Sequence, residues 1–231
     1  MTYSIDWKFC EECENVVYRI SDYVAMDKDG LNHPERLPWK KCQHSWRPND
    51  PAGVIGNQKL ELSFLSEAHK KLYDVRCYQS PLEMESLLNL LTYHKIETIV
   101  EIGSCHGGTA NIWRMMYPQA DIVCIDLNFN LWLPDIPVKR IVGDTTDERT
   151  KNLLRLHLDG KQIDFLFIDG DHNYESCKSD WEMYSPLVRE GGIIAFHDVM
   201  VLQGVKDVFA EIQAKKKIRF ESFQGIGVVI K

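Results

Sequence analysis

Apolar and polar residues follow two periods along this chain, and the second half alternates between them. Short stretches with apolar centres occur at 97–102, 121–127, 138–144, 163–168 and 193–199, reading ETIVEI, DIVCIDL, VKRIVGD, IDFLFI and IIAFHDV. Runs of that kind suit strands buried on both faces, as in a parallel sheet. Between them, apolar residues recur at helical spacing and predict helices beginning at 81, 108, 146, 174 and 205. The first helix has the strongest start signal, with Ser80 as N-cap, Pro81 in the first turn and Glu83 and Glu85 near its positive end. Two extended runs, IRFESF and IGVVIK, close the chain around Gln224-Gly225, and so short a turn makes them antiparallel neighbours. The expected fold is α/β: a mostly parallel Rossmann-like sheet with a C-terminal antiparallel hairpin and helices on both faces.

The first eighty residues break this rhythm. Trp7, Trp39 and Trp46 stand among Pro34, Pro38, Pro48 and Pro51, which interrupt any long regular element. Residues 1–80 are therefore expected to form an irregular cap or lid on a domain spanning 81–231, with short helices at about 11–26 and 63–73. So many aromatic residues argue against a disordered tail. Within the cap, Cys10, Cys13, Cys42 and His44 form two close pairs that could hold zinc. The tight second pair and the lack of a glycine knuckle favour free cysteines.

Composition narrows the partners more than the fold. The 231 residues are 44% apolar and 26% charged with a net charge of −7, a balance that supports neither a nucleic-acid nor an anionic-membrane partner. The one basic run, 215–217, is expected to be a solvated helix end. No apolar stretch approaches bilayer-spanning length and the N-terminus lacks a signal-peptide pattern, so a cytoplasmic protein is expected. Seven cysteines, with Cys105 and Cys124 in segments expected to be buried, argue against a disulfide framework.

Candidate chemistry collects where strands end. After the run at 98–102 come Gly103, Gly107 and Gly108, a strand, glycine turn and helix unit that lets a ligand approach the backbone beside free helical N–H groups. The second glycine of a dinucleotide fingerprint is replaced by Cys105, which opposes a nicotinamide oxidoreductase. No Gly-x-Ser-x-Gly elbow is present for a hydrolase. Glu101 places a carboxylate before the turn, suited to an ammonium or hydroxyl group. Asp126 follows Gly103 at about the interval that separates a glycine loop from a ribose-binding acid. Asp144, Asp169, His172, His197 and Asp198 also fall at carboxyl ends of expected strands, where ligands bind in such sheets.

Glu101-x-Gly103, Asp126, Gly143-Asp144 and the stretch 167–198, with its DGDHNYE and HD motifs, resemble the class I S-adenosylmethionine-dependent methyltransferases. The narrower likeness is to the cephalosporin hydroxylase-like and macrolide-sugar O-methyltransferase group. The match covers roughly 80–231. It implies S-adenosyl-L-methionine held by Glu101, Gly103, Ser104, Gly108, Asp126, Asp144 and Asp169. It also implies a divalent ion, magnesium in many relatives, at Asp169, His197 and Asp198. His197 stands where those relatives often carry a carboxylate, and imidazole suits transition metals better than magnesium.

Asp169 and His172 would be catalytic, with His172 taking the proton from an acceptor hydroxyl. A small-molecule acceptor is implied, a sugar or glycoside first among candidates, and a homo-oligomer is compatible. The alternatives are a non-catalytic S-adenosylmethionine-binding module and a nicotinamide oxidoreductase on a similar fold.

Overall fold

A computed structural model describes the backbone of 3–10, 15–21 and 54–60, residue 79, and 81–231 except 131, 133–135 and 222. The strands β1 (Tyr3–Cys10), β2 (Asn15–Ser21) and β3 (Val54–Leu60) precede helix α1 (Pro81–Leu91). Next come β4 (Thr98–Ile102), α2 (Gly108–Met116), β5 (Asp121–Asp126), β6 (Lys139–Val142), α3 (Glu148–Leu158) and β7 (Ile163–Ile168). The chain ends with α4 (Tyr174–Tyr184), β8 (Val188–His197), α5 (Gln203–Glu211), β9 (Lys216–Phe220) and β10 (Ile226–Ile230).

All ten strands join one sheet in the order β3-β1-β2-β9-β10-β8-β7-β4-β5-β6. From β8 to β6 neighbouring strands are parallel, and β10 runs antiparallel to both β8 and β9, as expected of the closing hairpin. The order of β4 and β7 is the topological switch point: from β4 the chain moves outward to β5 and β6, then returns to β7 on its other side. A crevice opens there at the carboxyl ends of the strands.

The period-two pleat sends alternate residues of β4, β7 and β8 to opposite faces. Ile99, Phe165, Phe167, Ile193 and Ala195 meet α1 and α2 on one face. Val100, Ile102, Leu166, Ile194 and Phe196 meet the other layer of helices. Trp113 of α2 is fully buried, with Phe165 and Phe167 edge-on at 5.1 and 5.4 Å between ring centroids. Removing such a ring leaves a cavity costing about 3–5 kcal/mol. Asp164 ties the start of β4 to β7: its Oδ2 accepts from the N–H groups of Glu97 and Thr98, both at 2.8 Å.

Several local expectations differ from the structure. Asn15–Ser21 is a strand, not part of a helix, because NVVYRIS concentrates β-branched and aromatic residues. The expected helix at 63–73, the Ser80 cap and the side chains of Cys10, Cys13, Cys42 and His44 lie outside the described residues. Strand β8 begins five residues early and runs through Gly191-Gly192, with Gly191 at φ 71° and an irregular register against β7. Helix α4 tightens into a 3-10 turn at Ser185–Leu187, where Pro186 removes a backbone donor.

Helix α5 stops at Glu211, and residues 216 and 217 lie in β9. Lys217 is no solvated helix end: its Nζ donates to the carbonyls of Phe209, Ala210 and Ile212 at the end of α5. Cys124 is buried as expected, but Cys105 is exposed. No helix among the described residues is long and apolar enough to cross a membrane.

Candidate active site

The glycine turn is shaped first by the protein's own backbone. Gly103 has φ 78°, and a Cβ there would lie 2.0 Å from the carbonyl oxygen of Asp169. Only glycine lets the ends of β4 and β7 come so close. The N–H of Asp169 then donates to the carbonyl of Ile102 at 2.8 Å, and the N–H of Gly103 to that of Ile125 at 2.9 Å.

Asp126 holds the next part of the turn. Its Oδ2 accepts from the N–H groups of Ser104 and Cys105 at 2.9 and 2.8 Å, and its Oδ1 from Asn128 at 3.2 Å. Oδ1 keeps a lone pair for a ligand hydroxyl. Gly107, at φ 80°, caps α2 without any side-chain hydrogen bond, so the helix start offers its N–H groups to the crevice.

A cavity of about 600 Å³ fills that crevice, with Gly103, Ser104, Gly108, Asp126, Asp144 and Asp169 on its wall. Its size is that of an ordinary small-molecule site. Asp144 accepts from both the N–H and the hydroxyl of Thr146, at 2.9 and 2.7 Å, which lowers its pKa.

Glu101 does not line the cavity. Alternation along β4 puts it on the same face as Ile99, fully buried, where the indole N–H of Trp113 donates to its Oε2. Burial raises its pKa to about 7, against the hydrogen bond from Trp113.

Beside the glycine turn, the ends of β7 and β8 and the first turn of α1 assemble an acid–histidine cluster. Asp169, His172 and Asp198 offer ligand atoms all within 4.8 Å of one another. His172 Nε2 lies 3.1 Å from Asp198 Oδ2 and 3.7 Å from Asp169 Oδ1. His197 turns Nδ1 to the same two oxygens, at 3.2 and 3.3 Å, and Nε2 to Glu83 Oε1 at 3.0 Å. Gln79 donates to the other oxygen of Asp169.

The cluster's electrostatics follow from these contacts. The carboxylates of Asp169 and Asp198 beside it push His172 up to about 10. Burial works to lower His197, but hydrogen bonds to Asp169, Asp198 and Glu83 outweigh it and carry the group to about 12. Burial likewise works to raise Asp198, yet His172 and His197 hold it well below the carboxylate range. Asp198 itself has φ 65°, a left-handed backbone that costs a non-glycine residue energy and is found most often at functional sites.

The donor set suits a divalent ion, since the carboxylates of Asp169 and Asp198 and the imidazole of His172 bring ligand atoms within 4.8 Å of one another on the crevice wall. An ion there would displace the protons that now hold like-charged carboxylates together.

The sequence marks Glu83 only as a helix-start acid. Its signal was present: Glu83 is one turn before Leu87 and therefore shares that residue's buried face. Gln79 and Gln224, which also line the cavity, carried no such signal.

Residues 100–199 match a family profile described as "Methyltransferase domain". An uncharacterized protein of Acanthamoeba polyphaga mimivirus is 30% identical over 167 residues, which cover 62% of this chain and 72% of the relative. Among solved structures, the fold is shared with MycE, a methyltransferase of mycinamycin biosynthesis solved with magnesium, S-adenosylhomocysteine and mycinamycin VI. The TM-score is 0.56 at 17% identity, covering 72% of this chain and 54% of that one. This chain thus spans about half the length of MycE. An O-methyltransferase from Bacillus cereus solved with S-adenosylhomocysteine gives a TM-score of 0.50 at 18% identity, covering 73% and 91%.

Proposed function

This chain belongs to the class I S-adenosylmethionine-dependent methyltransferases, and from that premise we propose that it methylates a hydroxyl oxygen of a small molecule, a sugar or glycoside first among candidates. The observation that carries this reading is the position of the Asp169, His172 and Asp198 cluster on the wall of the same cavity that the glycine turn and Asp126 line. The methyl donor would lie with its carboxylate toward the start of α2, its ribose at Asp126 Oδ1 and its adenine near Asp144 and Leu127. Its sulfonium would then face the cluster.

In the reaction, the carbon–sulfur bond of the donor breaks as the acceptor oxygen bonds to the methyl carbon in line with it, leaving S-adenosylhomocysteine. The protein's part is to place the acceptor and remove its proton. His172 Nε2 is the atom that would take that proton. At neutral pH it carries one already, because Asp169 and Asp198 stabilise the imidazolium. It becomes a base once those carboxylates are engaged elsewhere. A divalent ion at Asp169 and Asp198 would supply that engagement and would also polarise the hydroxyl.

The test is conversion of S-adenosylmethionine to S-adenosylhomocysteine with a panel of glycosides, catechols and amines, with and without divalent ions, for the parent and His172→Ala. Methylated glycoside from the parent and a large loss of turnover in His172→Ala with unchanged donor binding are expected. Tight donor binding with no turnover on any acceptor would instead support a non-catalytic binding module.

A further inference from the structure

His197 is nearly fully buried at the end of β8, and its two ring nitrogens face different groups. Nδ1 points at the carboxylate oxygens of Asp169 and Asp198, the pair that the proposed reaction needs for an ion. Nε2 meets Glu83, which is fully buried in the first turn of α1. Glu83 is fixed in turn, because its second oxygen accepts from the N–H of Gly225 at 2.9 Å, in the turn that joins β9 and β10. The ring is packed beside Phe167, 6.4 Å between centroids. With Nε2–H committed to Glu83, Nδ1 is the nitrogen aimed at the carboxylate pair, and it would present a lone pair there once an ion displaced its proton. A carboxylate behind one imidazole nitrogen, with the other aimed at acids, is the outer support of a metal-ligating histidine.

We propose that Glu83 is a positioning residue that fixes His197 as a nitrogen ligand, and that this pair makes the site one for a borderline divalent cation such as manganese, iron, cobalt or zinc instead of magnesium. The inference rests on the reading of Asp169 and Asp198 as ion ligands and extends it to the identity of the ion. Imidazole binds transition ions far better than magnesium, whose preferred donors are carboxylate, carbonyl and water oxygens. A carboxylate hydrogen-bonded to the far nitrogen strengthens that donor and sets its direction.

The experiment is calorimetric titration of the full-length protein with Mn²⁺, Zn²⁺ and Mg²⁺, together with the visible spectrum of the Co²⁺ form, for the parent, Glu83→Gln and His197→Asp. Titration of each protein with S-adenosylhomocysteine serves as a check on folding. The parent should prefer Mn²⁺ to Mg²⁺, and His197→Asp should shrink that preference by about tenfold or more by replacing imidazole with carboxylate. Glu83→Gln, which keeps the shape and loses the charge, should weaken Mn²⁺ and Zn²⁺ binding by about 10–100-fold. The Co²⁺ bands of the parent should shift in His197→Asp as a nitrogen ligand is lost.

Equal Mn²⁺ to Mg²⁺ preference in the parent and His197→Asp, or unchanged affinities in Glu83→Gln, would overturn the assignment and leave the transferase reading intact. Absence of binding by every ion would overturn the ion site as well, and methyl transfer by ion-free protein would then decide whether the transferase reading survives.

Discussion

Glu83 and His197 lie 114 residues apart in the chain and meet with 3.0 Å between Oε1 and Nε2 in the protein interior. The contact joins the first turn of α1 to the end of β8, and through Gly225 to the closing hairpin. Three segments that carry none of the glycine turn therefore hold one wall of the candidate site. Around that contact stand Asp169, Asp198 and His172, so the charge state of each group depends on its neighbours.

The coupling predicts a displaced pH profile. His172 has its pKa raised from 6.5 to about 10, so its contribution to stability is complete below about pH 6.5 and is lost as pH rises through about 10. The same shift keeps it from acting as a base at neutral pH. In chelator-treated protein, turnover should rise with pH toward 10, and a divalent ion should move that limb to lower pH. Rate profiles measured with and without chelator check this, and superimposable limbs would refute it.

Gly103→Ala should damage stability and the site together. The new Cβ meets the Asp169 carbonyl at 2.0 Å in a backbone with φ 78°, and neither strand end can move without breaking the pairing of β4 with β7. A loss of about 1–3 kcal/mol or more is expected from the strained backbone alone. Urea unfolding measures it, and a midpoint equal to that of the parent would show that the two strands separate easily.

Asp126→Ala should weaken binding of S-adenosylhomocysteine by about tenfold or more, because each 1.4 kcal/mol is tenfold and two hydrogen bonds to a carboxylate are lost from the turn. Ser104 and Cys105 lose their acceptor even before a ligand arrives. Calorimetric titration provides the comparison. Unchanged affinity would remove Asp126 from the binding site.

Asp180→Asn tests a buried acid behind the cavity wall. Burial raises the Asp180 pKa to about 7, with help from the charges of Asp144 and Asp171. The unfolded chain loses this proton near 3.8 and the folded chain near 7, so the parent loses stability as pH rises between them, on the order of 2–4 kcal/mol. The asparagine variant has no proton to lose and should be at least as stable as the parent at pH 8. Unfolding at pH 5 and pH 8 gives both slopes, and parallel slopes would contradict the assignment.

The sequence alone determined the strands from β4 to β8, their alternation with helices, and the acids at their ends. A strand buried on both faces is mostly apolar and places most of its polar groups where it enters or leaves the sheet, so TIVEI, DIVCID and IDFLFI announce both the element and its exit. Asp126, Asp169 and Asp198 were legible for that reason, and His172 because it stands three residues after Asp169 in a turn. A linear pattern leaves undetermined which face a residue will join when its partner lies far away. Glu101 was expected at the ligand and instead turns to Trp113, because strand alternation assigns it to the face of Ile99. Cys105 was expected inside and stands exposed at the crevice, in a turn whose backbone is bent by φ 42°. The Glu83–His197 contact was decided only when α1 packed across β8, since a hydrogen bond between residues so far apart depends on the three-dimensional placement of two elements and leaves no spacing in the chain to read.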